Sequence, residues 1–166
     1  VSVMRPPADR KPFRGVAVLG MGGSGIGGAV LADMVRATSP MPVQAVSDQV
    51  LPGWVDADCL VVASSYSGNT EETLAALKEA ELRGCTLAAV TSGGALGARA
   101  DEGGWPVVQM PGGNPPRSQF GRSFLGLCAL LHAFEVLSDA SWEALKRGVA
   151  QLDGPSCAER GEALAQ

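Results

Sequence analysis

Residues 15–37 read GVAVLGMGGSGIGGAVLADMVRA, and their pattern indicates the fold class. Its first part, GVAVLG, is a short β-branched run that ends in glycine and predicts a strand. After a glycine-rich turn, five apolar residues recur with the spacing of a helix: Ile26, Val30, Leu31, Met34 and Val35. A strand, a tight turn and a helix in this order form the first part of a βαβ unit.

The same alternation continues along the chain. Four further segments predict strands: PVQAVS (42–47), CLVVAS (59–64), TLAAVT (86–91) and PVVQMP (106–111). NTEETLAALKEAELRG (69–84) predicts a helix that ends at Gly84, and ALGARADE (95–102) predicts a shorter one. Alternating strands and helices indicate right-handed βαβ units. We therefore expect an α/β fold, a three-layer sandwich with a five-stranded parallel sheet and helices on both faces.

From Ser118 onward the pattern predicts an all-helical C-terminal segment. Five large apolar residues follow one another at steps of four and three: Phe120, Phe124, Leu127, Leu131 and Phe134. A second apolar face accompanies this seam, so we expect one long helix from Ser118 to Leu137 that is covered on more than one side. Such a helix needs a partner surface, which a further domain, a second copy of the chain or both could supply, and we expect a homodimer.

Composition limits the function classes. The 166 residues are 46% hydrophobic, enough for one core, and the net charge of −4 argues against nucleic acid or an anionic membrane as partner. The four cysteines form no C-x-x-C pair and are expected to be buried thiols in a reducing compartment. The most hydrophobic run, Phe124 to Leu137, is shorter than the roughly 20 residues of a membrane span. We expect a cytoplasmic protein.

The first glycine-rich loop, GMGGSGIGG at 20–28, leaves two interpretations open. Gly20, Gly22 and Gly25 satisfy the G-x-G-x-x-G pattern of dinucleotide-binding folds, and Asp48 follows the second strand, where a ribose-binding acid is expected. Any tight strand-to-helix turn also favours glycine. Ser24 favours an anion held by its hydroxyl group and by amide groups at the helix N-terminus.

The second loop, SSYSGNTEET at 64–73, favours a phosphate monoester. Ser65, Ser67 and Thr70 could direct three hydroxyl groups at one point beside the start of the next helix. A purely structural interpretation makes Asn69 or Thr70 the helix N-cap and Glu72 its capping-box partner. That interpretation does not account for Ser65 and Ser67, which precede any cap.

Four blocks in this order resemble the sugar isomerase (SIS) domain: GMGGSGIGG at 20–28, SYSGNTEET at 65–73, TSGG at 91–94 and NPPRSQFG at 114–121. More narrowly, they are similar to the first half of the bifunctional phosphoglucose/phosphomannose isomerases. The resemblance implies a flavodoxin-like sheet and a 6-phosphosugar ligand, with no cofactor and no metal. It implies that the phosphate binds Gly23 and Ser24 in the first loop and three hydroxyl groups in the second: Ser65, Ser67 and Thr70. Arg117 would lie near the reacting end of the sugar.

The chain also departs from this family. Family members are about twice as long, and their glutamate, histidine and lysine catalytic groups belong to a second half with no counterpart here. We expect a lead-in at 1–14, an SIS domain at 15–153 and, at 154–166, a linker helix towards an absent second domain. Within the chain, Arg117 is the expected catalytic cation, whereas His132 is expected to be a packed histidine and Glu135 to lie deep in the last helix.

The expected function is the phosphosugar-binding domain of an aldose–ketose isomerase. That enzyme would interconvert glucose 6-phosphate or mannose 6-phosphate with fructose 6-phosphate, and this chain alone would be incomplete and inactive. Two alternatives remain, a non-catalytic phosphosugar sensor and a dinucleotide-binding oxidoreductase domain.

Overall fold

The computed structural model describes residues 11–152, and at their centre lies a five-stranded sheet. The strands are β1 (Gly15–Leu19), β2 (Val43–Val46), β3 (Cys59–Ser65), β4 (Thr86–Thr91) and β5 (Val107–Gln109). Every pairing is parallel and the order is β2-β1-β3-β4-β5. This is the flavodoxin-like order, in which the chain direction across the sheet reverses between β1 and β3. The predicted fold class is confirmed.

Five α-helices and one 3-10 helix surround the sheet in the described part of the chain. The α-helices are α1 (Gly22–Val35), α2 (Glu71–Leu82), α3 (Gly94–Gly103), α4 (Phe120–Ala133) and α5 (Asp139–Ala150). The 3-10 helix (Pro116–Gln119) leads directly into α4. Every helix between two strands is a crossover connection, as parallel pairing requires.

Two apolar clusters hold the layers together, one on each face of the sheet. On one face, Val62 and Val90 of the sheet pack with Leu31 of α1 and Leu127 of α4. On the other face, Val61 and Ala89 pack with residues of α2 and α3 that include Leu77 and Leu96. All seven residues of β3 are buried, because this strand lies at the centre of the sheet with helices on both sides.

The prediction of one helix from Ser118 to Leu137 is wrong. Helix α4 ends at Ala133, and Glu135 adopts a left-handed conformation with φ of 61° instead of lying deep in a helix. The amide N–H groups of Val136 and Leu137 turn back to the Leu131 carbonyl oxygen. Both side chains remain buried after the turn, so the apolar pattern continues although the helix does not. A new helix, α5, then begins after Ser138, whose hydroxyl group accepts a hydrogen bond from the Ser141 N–H group at 3.2 Å.

The packed part of the chain includes Phe13, two residues before the first strand. Its ring is buried and lies 5.8 Å from the ring of Phe134, centroid to centroid, at 60°. The expected linker helix at 154–166 and Cys157 lie outside the described residues. Within residues 11–152, no helix combines the length and the apolar character needed to cross a membrane.

Candidate functional site

The two loops singled out in the sequence follow β1 and β3, the neighbouring strands at which the sheet order reverses. Because parallel strands end at the same edge of the sheet, both loops lie at that edge. Ligands of open α/β folds bind at this point.

The glycines of the first loop are required by close backbone contacts. A Cβ atom on Gly25 would lie 2.6 Å from the Gly20 carbonyl oxygen, and one on Gly20 would lie 3.0 Å from the Ser64 carbonyl oxygen. Gly22 adopts a φ of 53°, a left-handed value that favours glycine. The G-x-G-x-x-G spacing is therefore explained by the tight turn from β1 into α1, without a dinucleotide.

The second loop is organised by its own hydroxyl groups. The Ser65 Oγ and Thr70 Oγ1 atoms are 2.8 Å apart, and Ser65 Oγ also accepts a hydrogen bond from the Gly68 N–H group at 3.1 Å. Ser67 Oγ accepts from the Asn69 N–H group at 3.2 Å. Ser65 is 2% exposed, whereas Ser67 is exposed to solvent. The loop therefore presents Ser67 and Thr70 outward and keeps Ser65 beneath them.

The predicted capping box is absent. Thr70 is the N-cap residue of α2, but its side chain makes no capping hydrogen bond. Asn69 instead accepts a hydrogen bond from the Ala95 N–H group at 2.9 Å and so serves the first turn of α3. Glu71 and Glu72 are exposed in the first turn of α2. Asn69 thus joins the second loop to the start of α3 instead of capping α2.

The TSGG segment at 91–94 supports the second loop from behind. Ser92 donates to the Tyr66 carbonyl oxygen through its N–H group at 3.1 Å and its hydroxyl group at 2.6 Å. The Leu96 N–H group donates to the Gly68 carbonyl oxygen at 2.9 Å. These bonds fix the backbone on both sides of Ser67, which gives this segment a positioning role that sequence reasoning did not specify.

Tyr66 connects the second loop to the segment that carries Arg117. Its hydroxyl group donates to the Pro111 carbonyl oxygen at 3.2 Å and accepts from the Asn114 N–H group at 3.0 Å. The chain reaches the 3-10 helix two residues later. The tyrosine thereby holds Arg117 on the same side of the sheet as the hydroxyl groups.

The two loops and the 3-10 helix together enclose a cleft of about 210 Å³. Five of the predicted site residues line it: Gly23, Ser24, Ser67, Thr70 and Arg117. Ser65, also predicted, is not part of the lining and contacts the cleft only through Thr70. Arg117 is the charged residue of the lining, and neither a carboxylate nor a histidine is found among the described residues that form it. The volume falls below the roughly 300 Å³ at the lower end of small-molecule pockets.

Sequence reasoning missed the floor of this cleft. Gln119 and Ser123 line it although they are only 5% and 3% exposed. They are four residues apart and therefore occupy the same side of the chain as it enters α4. The available signal was two uncharged polar residues inside a segment otherwise interpreted as an apolar seam.

Other candidate residues lie away from the cleft lining. Asp48, the possible ribose-binding acid, accepts a hydrogen bond from the Val50 N–H group two residues on, at 3.2 Å. His132 stacks on Trp142, with ring centroids 5.2 Å apart, and its Nε2 atom lies 2.9 Å from a carboxylate oxygen of Asp139. It joins α4 to α5, as expected of a packed histidine.

The three thiol groups within residues 11–152 all have a raised pKa. Burial raises the pKa of Cys128 to about 12 and that of the half-buried Cys85 to about 11. Both thiols are therefore protonated at neutral pH, whereas a nucleophile or a metal ligand would have to be a thiolate. Within residues 11–152, no cluster of histidine, cysteine, aspartate and glutamate side chains could hold a metal ion.

The fold is shared with enzymes that act on phosphosugars. Tagatose-6-phosphate ketose/aldose isomerase from Escherichia coli superimposes with a TM-score of 0.56 and 20% identity, over 74% of this chain and 37% of that chain. The chain therefore has the α/β fold found in phosphosugar isomerases, the SIS fold.

Sequence comparison identifies a group of related enzymes. A bifunctional phosphoglucose/phosphomannose isomerase from Caldicellulosiruptor bescii is 42% identical over 134 residues, 79% of this chain and 40% of that enzyme. The enzyme of the same name from Aquifex aeolicus is 43% identical over 114 residues, 68% of this chain and 36% of that enzyme. No protein-family model matches the chain. The chain is a homologue of the bifunctional phosphoglucose/phosphomannose isomerases, and it spans about 40% or less of the length of these relatives.

Proposed function

We propose that this chain binds a hexose 6-phosphate and that the phosphoryl group lies between the loop after β1 and the loop after β3. One observation supports this most strongly: Ser24, in the first turn of α1, lines a single cleft with Ser67 and Thr70 of the loop after β3. Short neutral donors that converge from several directions suit a compact anion. Ser65 is assigned a supporting role, since its hydroxyl group contacts Thr70 and not the cleft.

The charge distribution around the cleft agrees with this ligand. The chain has a net charge of −4, so its overall field does not attract a phosphate. The first turn of α1 contains no acidic residue, so no carboxylate of that turn neutralises the positive end of the helix dipole. Arg117 adds the one positive charge of the described lining. Attraction is thus local, which matches a site for a single phosphoryl group.

We infer that the chain provides binding and charge stabilisation for an aldose–ketose isomerase. Interconversion of glucose 6-phosphate or mannose 6-phosphate with fructose 6-phosphate needs a base that moves a proton between C1 and C2, and a cation for the developing oxyanion. Arg117 can be the cation. No described residue that lines the cleft is a carboxylate, a histidine or a lysine, so the base is assigned to groups outside this cleft. On this proposal the chain alone binds the sugar phosphate but does not turn it over.

The same lack of an acid–base pair also suits a phosphosugar sensor that performs no chemistry. The two candidates share the ligand and differ in whether the bound sugar is then isomerised. A coupled assay for fructose 6-phosphate formation separates them, once the chain is combined with a segment or partner that supplies a base.

The ligand itself is tested by calorimetric titration of the chain with four compounds: fructose 6-phosphate, glucose 6-phosphate, mannose 6-phosphate and NAD. The proposal predicts saturable binding of at least one hexose phosphate and no binding of NAD. Binding of NAD alone would contradict it and would favour the dinucleotide interpretation of the first loop.

A further inference from the structure

We propose that Ser123 is a ligand-binding residue that contacts a hydroxyl group of the sugar, while the phosphate is held by the two loops. This inference rests on the proposed function, because it places the sugar of the same phosphosugar. Ser123 belongs to the first turn of α4 and is only 3% exposed, yet it lines the cleft.

The hydroxyl group of Ser123 has no hydrogen-bond partner among residues 11–152. A buried hydroxyl group without a partner costs free energy, and each such group in a native protein calls for an explanation. Two other side chains share this condition in the described part of the chain, Ser64 and Thr73. Neither of them lines the cleft. Ser123 is therefore the one of the three that a ligand in this cleft could satisfy.

The position of Ser123 relative to the phosphate donors favours the sugar as its partner. A Cβ atom on Gly27 would lie 3.5 Å from Ser123 Oγ, so α4 meets α1 at this glycine. Gly27 lies three residues after Ser24, on the same side of α1 and one turn further from the helix N-terminus. Ser123 is thus displaced along α1 from the Ser24 end of the cleft.

The polar groups of the cleft also fall into two sets, one for the phosphate and one for the sugar. Ser24 in the first turn of α1 and Ser67 and Thr70 in the loop after β3 lie at the sheet edge, whereas residues 116–123 form a third wall that includes Arg117 and Ser123. A sugar esterified to a phosphate in the loops must extend over this third wall to reach Arg117. A serine hydroxyl group can donate and accept at once, which matches a sugar hydroxyl group.

The test compares Ser123→Ala with Ser64→Ala in the full chain, by titration with fructose 6-phosphate and with inorganic phosphate. Ser64 is the matched control, because it is an equally buried serine without a partner that lies off the cleft. We expect Ser123→Ala to weaken fructose 6-phosphate binding about tenfold, the effect of one lost hydrogen bond, and to leave phosphate binding unchanged. Ser64→Ala should change neither.

Wild-type affinity of Ser123→Ala for fructose 6-phosphate would overturn the inference, and so would an equal loss for both ligands, which would make Ser123 a phosphate contact. If Ser123→Ala does not fold, Ser123→Cys carries the same test, since a thiol is a weak hydrogen-bond donor. Failure of the wild-type chain to bind either ligand would instead refute the proposed function, and this inference with it.

Discussion

The hydroxyl oxygens of Ser65 and Thr70 lie 2.8 Å apart, and only Thr70 lines the cleft. Ser65 also accepts the Gly68 N–H group, so one buried hydroxyl group fixes both the start and the end of the turn. Two residues that the sequence suggested as equal phosphate donors thus have different places in the structure. Thr70 is in position to contact a ligand, and Ser65 holds Thr70.

This relationship predicts unequal effects of substitution. Thr70→Ala should weaken fructose 6-phosphate binding by about 1 to 2 kcal/mol, the scale of a hydrogen bond to a charged group. Ser65→Ala should weaken it less, because Thr70 keeps its hydroxyl group and loses only its support. Since both act through Thr70, the double variant should resemble Thr70→Ala alone. Calorimetric titration of the four proteins measures the coupling; strictly additive losses would show that Ser65 contacts the ligand itself.

Arg117 should contribute to ligand binding through its position in the cleft, and not only through the net charge of the protein. We expect Arg117→Met to weaken hexose phosphate binding by about 1 to 3 kcal/mol, since it removes the one charged group of the described lining. Arg36→Met removes the same charge from an exposed ion pair with Asp33 and should have little effect, because salt screens exposed charges. Titration at about 0.15 M salt compares the two. Equal losses would mean that Arg117 acts only through the net charge of the protein.

Gly68, in the second loop, has no room for a side chain. Its φ is 71°, and a Cβ atom there would lie 1.8 Å from the Gly93 carbonyl oxygen. Gly68→Ala should therefore lower the free energy of unfolding by more than about 2 kcal/mol, measured by urea denaturation.

Gly148 provides the contrasting case for that experiment. It lies in α5 with no atom within 4 Å of a Cβ position, so Gly148→Ala should stabilise the protein by about 0.5 to 1 kcal/mol. Similar effects of the two substitutions would contradict the described packing of the 68 and 93 backbones.

The buried thiol of Cys128 predicts a loss of stability in base. Burial raises its pKa from 9.0 to about 12, so the unfolded chain releases this proton at lower pH than the folded chain. The buried thiol's contribution to the free energy of unfolding is fully present below pH 9. It is lost as the pH rises towards 12, by up to about 1.4 kcal/mol per pH unit. Cys128→Ala should show a shallower decline in the free energy of unfolding between pH 9 and pH 10.5. Parallel curves for the two proteins would contradict the burial of this thiol.

The sequence predicts those features that depend on local pattern. The five strands, the flanking helices and the two loops follow from alternating apolar runs and from glycine at tight turns. The end of α4 does not, because Val136 and Leu137 stay buried after the turn and the apolar pattern therefore continues without a helix. The hydrogen-bond partners of polar loop residues cannot be predicted from the local sequence either. Asn69 has the sequence context of an N-cap of α2, but it bonds to Ala95, 26 residues away.

The residues that line the cleft could also be predicted only in part. Gly23, Ser24, Ser67, Thr70 and Arg117 come from three segments of the chain and line one cleft. Ser123 and Gln119 were not predicted, because their polarity within an apolar segment does not reveal how α4 packs against α1, a long-range contact.

The most direct test of the proposed phosphate site is amide NMR of the isotopically labelled chain during titration with fructose 6-phosphate. We expect saturable shifts centred on the N–H groups of Gly23, Ser24, Ser67 and Thr70, reproduced at these positions by inorganic phosphate. Shifts confined to the loop after β1, or shifts produced only by NAD, would contradict a shared phosphate site between the two loops.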